Sequence, residues 1–413
     1  MDVDEVVTVV SAEIEKRSPE FLEFAADMIK VPSFNPPGNY EKIAPLVVER
    51  LASFGLQAKE IITPPELVAQ AGFEFPRRNV LATLPGASPK NKAVLMVHLD
   101  TVPVEDESLW EHEPFSGKFD DGRLWGRGAC DCKGRLACFA LALGAIKSAG
   151  VVLQGDAVLA ATADEEIGGE LGAGYLAAQG ELDCDFCIVE GFINQMFHGY
   201  GGSLSAQITT IGKSAHTAVP WRGVNAIEKM QEVLRAVGQA QIELESRPSV
   251  DKEMRFSTLN IGTISGGSKS TIVPDRCAIE IDGRLATEDH PDFVIELLRK
   301  KLSKASLDNP DLIFEMEINK KEEAYVSDPD SDLVNCLQES IRLIGMPTVP
   351  VTMSRGGSDM KYMIARGIPC VAYGPGHRPN SNIHGVNENI ALADFVNCAK
   401  ATAVTLINLL GIT

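Results

Sequence analysis

His98 and Asp100 close an apolar run, Ala93-Val94-Leu95-Met96-Val97, that reads as a buried strand. Side chains two residues apart on a strand point to the same side, so these two can face one site together. A second acid, Asp131, arrives in the glycine-rich stretch Gly126-Arg127-Gly128-Ala129-Cys130-Asp131-Cys132-Lys133-Gly134. An imidazole, a carboxylate placed to orient it and a carboxylate from a tight loop are the beginnings of a metal site. Further candidates follow. Asp164-Glu165-Glu166 ends an apolar run, Glu190 follows Cys187-Ile188-Val189, His216 follows Gly212-Lys213-Ser214-Ala215, and His384 lies in the polar segment Asn382 to Glu388. Each has a plainer reading: a solvated acidic turn, a strand end, a surface histidine, a loop histidine. Ser354-Arg355-Gly356-Gly357-Ser358-Asp359 could equally be a simple connecting turn.

The elements that must position these groups are legible from periodicity. Residues 12 to 30 carry apolar positions at helical spacing and end before Val31-Pro32. A turn-rich loop over 33–40 precedes a second helix from Glu41 to Phe54, closed by Gly55. Strands are expected at 79–84, 93–99 and 157–163, with an apolar, buried helix at 136–149. Alternating strands and helices imply an α/β fold with a parallel or mixed sheet, whose sites form at the carboxyl ends of strands. From Gly199 the texture changes to strand, helix, strand, strand, helix, strand, the order of a small split βαβ sandwich. The expected division is an inserted domain at 199–319, with 1–198 and 320–413 completing the first sheet.

A chain of 413 residues is long enough for two or three domains. Its 38 basic and 57 acidic residues leave a net charge of −19, which disfavours nucleic acid and anionic membrane surfaces as partners. The first residues carry early acids and no positively charged leader, and the apolar runs fall short of the ~18 residues a membrane helix needs. A soluble, cytoplasmic protein is expected. Nine scattered cysteines point to reduced thiols, and Cys184-x-x-Cys187, with no partner motif, reads as buried structure. Gly126-Arg127-Gly128 lacks the third glycine of a dinucleotide loop and runs into Asp131, which would repel a phosphate.

Taken together, His-x-Asp, Gly-x-Gly-x-x-Asp-x-Lys-Gly, Glu-Glu, a strand-ending Glu and a late His closely resemble the cocatalytic-zinc aminoacylase and carboxypeptidase family. That family includes acetylornithine deacetylase and succinyl-diaminopimelate desuccinylase. The resemblance covers nearly the whole chain, including Gly374-Pro375-Gly376. It implies a mixed-sheet zinc-peptidase-like catalytic domain with an inserted α+β (ferredoxin-like) lid and dimerisation domain. It makes Asp131 the bridge between two divalent ions, with His98 and Glu190 completing one shell and Glu166 and His384 the other. Zinc suits that donor set, and manganese or cobalt is accommodated. Asp100 would fix the tautomer of His98, and Glu165 would act as general base. His216 matches an oxyanion-stabilising histidine, often reaching a neighbouring subunit's site. Asn260 and Arg284 match lid positions that contact substrate, and Gly356, Gly357 and Ser358 match the pocket lining. The peptide after the bridging aspartate is held cis in family members.

The function so implied is hydrolysis of the amide of a small N-acyl amino acid, on a substrate bearing a carboxylate, by a homodimer or higher homo-oligomer. The alternatives are a dipeptidase or carboxypeptidase, or cleavage of an unusual non-peptide C–N bond at the same centre. Four departures bear on the substrate. Ser270-Thr271 stand where many deacylases carry Asn, Gly191 follows Glu190 where proline is common, Cys132 replaces the usual Met, and the 377–382 loop is longer.

Overall fold

The computed structural model describes residues 3–88 and 91–413, packed as two compact units. The first comprises the chain up to His198 together with Ser327–Thr352 and Ser358–Thr413; the second comprises Gly199–Val326 and Met353–Gly357.

In the first unit a mixed sheet runs, edge inward, through Gln57–Ile62, Arg78–Leu84, Asp156–Thr162, Lys92–His98, Phe186–Val189, Cys370–Ala372 and Met196–Tyr200. The pairings of Lys92–His98 with Asp156–Thr162 and Phe186–Val189 are parallel, and so is that of Phe186–Val189 with Cys370–Ala372. Three neighbouring strands therefore release their chains at one end of the sheet. His98, the Asp164 to Glu166 turn and Glu190 all sit there, the placement parallel strands give a site.

The helix expected at residues 12–30 is longer and runs Val3–Ile29, because Val6, Val10 and Ile14 extend its buried face at four-residue spacing. Pro19 lies inside it and cannot donate to the Glu15 carbonyl; the Ser18 hydroxyl donates there instead, at 3.0 Å. The buried helix runs Lys133–Ser148 and has no exposed face from Lys133 to Ile146. It packs against Val3–Ile29 and Leu392–Leu410. At such a position Phe139→Ala would cost about 3–5 kcal/mol, through lost burial and the cavity left behind. Gly134, the second residue of this helix, is glycine by necessity: a Cβ there would stand 1.9 Å from the Ala129 carbonyl oxygen.

The second unit is a four-stranded antiparallel sheet in the order Thr258–Gly266, Arg276–Leu285, Gly202–Ile211, Ile313–Glu322. Helices Ala226–Glu245 and Pro291–Asp308 cover one face through Met230, Val233, Leu298 and Leu302, giving the ferredoxin-like arrangement. Asn225 accepts from the amides of Ile227 and Glu228 and so caps the first of these helices. Among the described residues no helix is long and apolar enough to cross a membrane.

Candidate metal centre

The site grows from three chain turns of the first unit. Strand Lys92–His98 ends on His98, which is 2% exposed; its Nδ1 lies 3.0 Å from the main-chain carbonyl of Asp100. The Asp100 carboxylate is farther, with Oδ1 at 3.6 Å, so the backbone rather than the side chain is the nearer orienting acceptor. Asp100 Oδ2 instead accepts from the Asn35 amide at 3.0 Å and the Glu166 N–H at 3.3 Å. It ties the two acid-bearing turns together.

The second turn follows strand Asp156–Thr162. Asp164 sits in the left-handed region, φ +66°, which aspartate tolerates better than most residues. Its carboxylate is held by Arg77 at 2.7 Å, Asn35 at 2.8 Å and the Tyr40 hydroxyl at 2.9 Å. That buried network fixes where the chain presents Glu165 and Glu166.

The third turn carries Asp131. Gly128 adopts φ +89°, and the Asp131–Cys132 peptide is cis. One fully buried carboxylate, Glu388, accepts from the amides of Gly128 (3.1 Å), Cys130 (2.9 Å) and Asp131 (2.8 Å), and pairs with Arg127 at 2.7 Å. The loop is thereby anchored to the segment that bears His384.

These turns bring the acids and imidazoles into two groups sharing one carboxylate. Asp131 Oδ1 lies 3.2 Å from His98 Nε2; Asp131 Oδ2 lies 3.4 Å from His384 Nε2, which is 3.2 Å from Glu166 Oε2. Asp131, Glu166 and His384 can offer ligand atoms all within 4.8 Å of one another, and so can His98, Asp131 and Cys132. Glu190 is buried beside them but outside both sets; its Oε1 accepts from the Ser358 hydroxyl at 3.0 Å. Glu165 Oε2 approaches His98 Nε2 at 3.9 Å.

Electrostatics follow from this crowding. Burial, with Asp359, Glu166 and Glu190 nearby, pushes the Glu165 carboxyl well above the usual range. Burial also raises Glu190, and it pushes Asp359, next to Glu190, up to about 8. Asp131 is held well below its ordinary value against its burial, by Arg135 and the two histidines. His384 rises to about 10 through its bonds to Asp131 and Glu166. Glu166 Oε1 and Asp359 Oδ1 are buried with no hydrogen-bond partner among the described residues. Converging acids with unpartnered oxygens, beside imidazole nitrogens, fit divalent cations.

Arg135, Asp359 and Glu388 belong to this neighbourhood and escape the sequence reading. Arg135 is 3% exposed and donates to Asp131 Oδ1 at 2.7 Å. Its four-residue spacing from Asp131 on a helical start was the available signal. Asp359 accepts from the Thr162 hydroxyl at 3.0 Å, and nothing in the Gly-rich turn before it marks it as buried. Of the other candidates, His216 is exposed in the second unit, its Nδ1 accepting from the Ala218 amide at 3.0 Å. Arg284 and Asn260 lie on adjacent strands of that unit, where Arg284 pairs with Asp282 at 2.8 Å. Gly356 and Gly357 are exposed there too, while Ser358 belongs to the first unit. Cys187 is buried in its strand and Cys184 half-buried.

Residues 94–408 match the model of the peptidase family M20/M25/M40. The chain belongs to this family. As a member of it, the protein is a hydrolase of C–N amide bonds. It is similar, at 26% identity over 96% of both chains, to N-formyl-4-amino-5-aminomethyl-2-methylpyrimidine deformylase of Bacillus subtilis (strain 168). It is 31% identical to acetylornithine deacetylase of Proteus mirabilis (strain HI4320), over 68% of this chain and 72% of that one. The fold is that of an M20 family metallo-carboxypeptidase from Sulfolobus solfataricus, with a TM-score of 0.74 at 22% identity, covering 94% and 98% of the two chains. A Bacillus subtilis protein described as a dinuclear metal-binding peptidase of the M20 family matches with a TM-score of 0.68 at 14% identity, over 96% and 99%.

Proposed function

We propose that this M20/M25/M40 member hydrolyses the amide bond of a small N-acyl amino acid, using Glu165 as general base at a centre for two divalent ions. The observation that carries the reading is the shared carboxylate: Asp131 faces His98 through one oxygen and His384 through the other. Asp131 with His98 and Glu190 would hold one ion, and Asp131 with Glu166 and His384 the second. Zinc suits imidazole and carboxylate donors, with manganese or cobalt accommodated. When bound, such a pair supplies Lewis acidity to the attacking water and to the developing oxyanion.

The protein's own groups do the rest. Glu165, 15% exposed and beside His98, takes the proton from the attacking water and returns it to the leaving amine. Burial and the neighbouring carboxylates raise its affinity for protons in the metal-free centre, and divalent ions bound beside it would oppose that rise. His98 keeps Nε2 turned to the centre because its Nδ1 faces the Asp100 carbonyl. Asp100 supports the Glu166 turn through the Glu166 amide.

In the same reading His216 stabilises the oxyanion and Arg284 grips a substrate carboxylate with its planar fork, while Asn260, Gly356, Gly357 and Ser358 contact substrate. A homodimer is part of it, since the matching histidine of relatives often serves a neighbouring subunit. A cytoplasmic location accompanies it.

A second reading is favoured by the deformylase relative, which aligns over 96% of this chain: cleavage of a formamide on a heterocyclic amine, a non-peptide C–N bond. The test has two parts. Glu165→Gln is expected to lower kcat by at least about 100-fold with metal content retained; near-normal turnover would remove Glu165 from its role. A panel of acetyl, formyl and succinyl amino acids, dipeptides and formylated aminopyrimidines then separates the readings by kcat/KM.

A further inference from the structure

Two departures in the chain, Gly191 and the longer 377–382 loop, meet in one place, and the chemistry above uses neither. A Cβ at Gly191 would stand 2.6 Å from the Tyr373 nitrogen, so glycine lets the chain beyond strand Phe186–Val189 close on Tyr373 and Gly374. Phe192 then bridges Gly376, and the Ile193 amide donates to the Gly376 carbonyl at 2.7 Å. Asn194 brackets Arg378: its Nδ2 donates to the Arg378 carbonyl at 3.1 Å, and its Oδ1 accepts from the Arg378 amide at 3.3 Å. The main chain of Arg378 thus anchors the loop, and its exposed side chain is carried at a fixed place. The guanidinium sits 4.6 Å from the centroid of the Phe192 ring and 5.3 Å from that of Phe197. An aromatic seat holds a guanidinium through the charge of the rings, and the planar fork stays suited to a carboxylate.

Three facts place this group beside the centre. Strands Phe186–Val189 and Cys370–Ala372 run parallel, and Phe192 and Arg378 both lie beyond their carboxyl ends, as Glu190 does. The Phe192 ring also carries Arg135, 5.1 Å from its centroid, and Arg135 donates to Asp131 Oδ1 at 2.7 Å. The chain runs from Arg378 directly into the segment that bears His384. Of the two guanidinium groups on that ring, Arg135 is buried and bonded to Asp131, while Arg378 is exposed.

We propose that Arg378 is a specificity-determining residue that meets a second carboxylate of the substrate, at the end of the acyl group away from the amide. The inference rests on the reading that the substrate is an N-acyl amino acid, whose own carboxylate falls to Arg284. The acyl groups selected are then those that end in a carboxylate, over uncharged acyl groups of the same length.

The test compares the N-succinyl, N-butyryl and N-acetyl derivatives of one amino acid on the full-length, metal-loaded protein. Succinyl and butyryl have the same chain length and differ in the terminal charge. The ratio of kcat/KM for succinyl over butyryl is expected to be at least about tenfold in the unaltered protein. It is expected to fall to about one in Arg378→Met and to an intermediate value in Arg378→Lys, through KM rather than kcat. A ratio near one in the unaltered protein would overturn the proposal, as would turnover of the acetyl derivative alone; either leaves the N-acyl amino acid reading standing. A preference that survives in Arg378→Met, or equal losses on both derivatives, would overturn it as well. No turnover of any of the three would overturn both together. Each variant is judged by a ratio, so the amount of folded protein cancels.

Discussion

The two oxygens of Asp131 face different surroundings. Oδ1 meets His98 at 3.2 Å and Arg135 at 2.7 Å, and both side chains are all but sealed from solvent. Oδ2 meets His384, whose side chain is 51% exposed, with Glu166 as the neighbouring acid. One carboxylate thus joins a closed compartment containing a fixed cation to a half-open one containing acids and imidazole. Two unit charges 4 Å apart interact by about 4 kcal/mol at an effective dielectric constant near 20, so one guanidinium is enough to make the two sides unequal as cation sites. In the proposed two-ion centre, the pairing of a ligand set with a local charge, and not the ligand set alone, would set how strongly each side holds an ion.

Breaking the shared group has the largest expected effect. Asp131→Asn leaves the buried Arg135 without its counter-charge, and the loss of stability is expected to be about 3–5 kcal/mol in urea unfolding. A loss below about 1 kcal/mol would mean that Arg135 is balanced elsewhere. The two histidines then separate the sides. In metal-free protein His98→Ala is expected to cost about 1–3 kcal/mol, because it leaves buried partners unsatisfied, and His384→Ala less than about 1 kcal/mol. Equal losses by thermal melting would erase the distinction between closed and open.

Arg135→Met sharpens it further. With the cation removed, the ion on the Oδ1 side is expected to bind about tenfold tighter against a chromophoric chelator, and the ion on the Oδ2 side to be nearly unchanged. Weaker binding on the Oδ1 side would show that Arg135 positions Asp131 more than it discounts its charge.

The smallest effect is a pH slope from the closed side. Asp359 is raised from an ordinary 3.8 to about 8, mainly by burial, with Glu190 adding to it. The folded protein therefore keeps a proton that the unfolded chain releases, and stability falls as pH rises from about 4 to about 8. In metal-free protein Asp359→Asn should flatten that slope, measured by chemical denaturation across the pH range.

Much of the centre is readable in the chain alone. Period-two spacing puts His98 at the end of a buried strand, and acids ending apolar runs mark Glu165, Glu166 and Glu190. The order of strands and helices after Gly199 yields the ferredoxin-like unit, whose sheet order follows. Helix ends were less legible: the first helix begins nine residues earlier than its clearest periodicity suggests, at Val3 rather than residue 12. The partners that lie far along the chain from the site residues were not legible. Glu388 lies 257 positions from Asp131 and binds its amide, and Asp359 lies 197 from Thr162.

What the amino-acid order determined by itself was the strand ends that carry His98, Glu165, Glu166 and Glu190, because those depend on side-chain periodicity over a few residues; the assignment of candidate donors to two ions came from the family resemblance. Only the tertiary structure decided which oxygen of Asp131 meets which imidazole, that Arg135 and Cys132 crowd one side, and that the Asp100 backbone outranks its side chain. Those facts depend on distances between segments far apart in the chain, and burial there decides how much each charge counts.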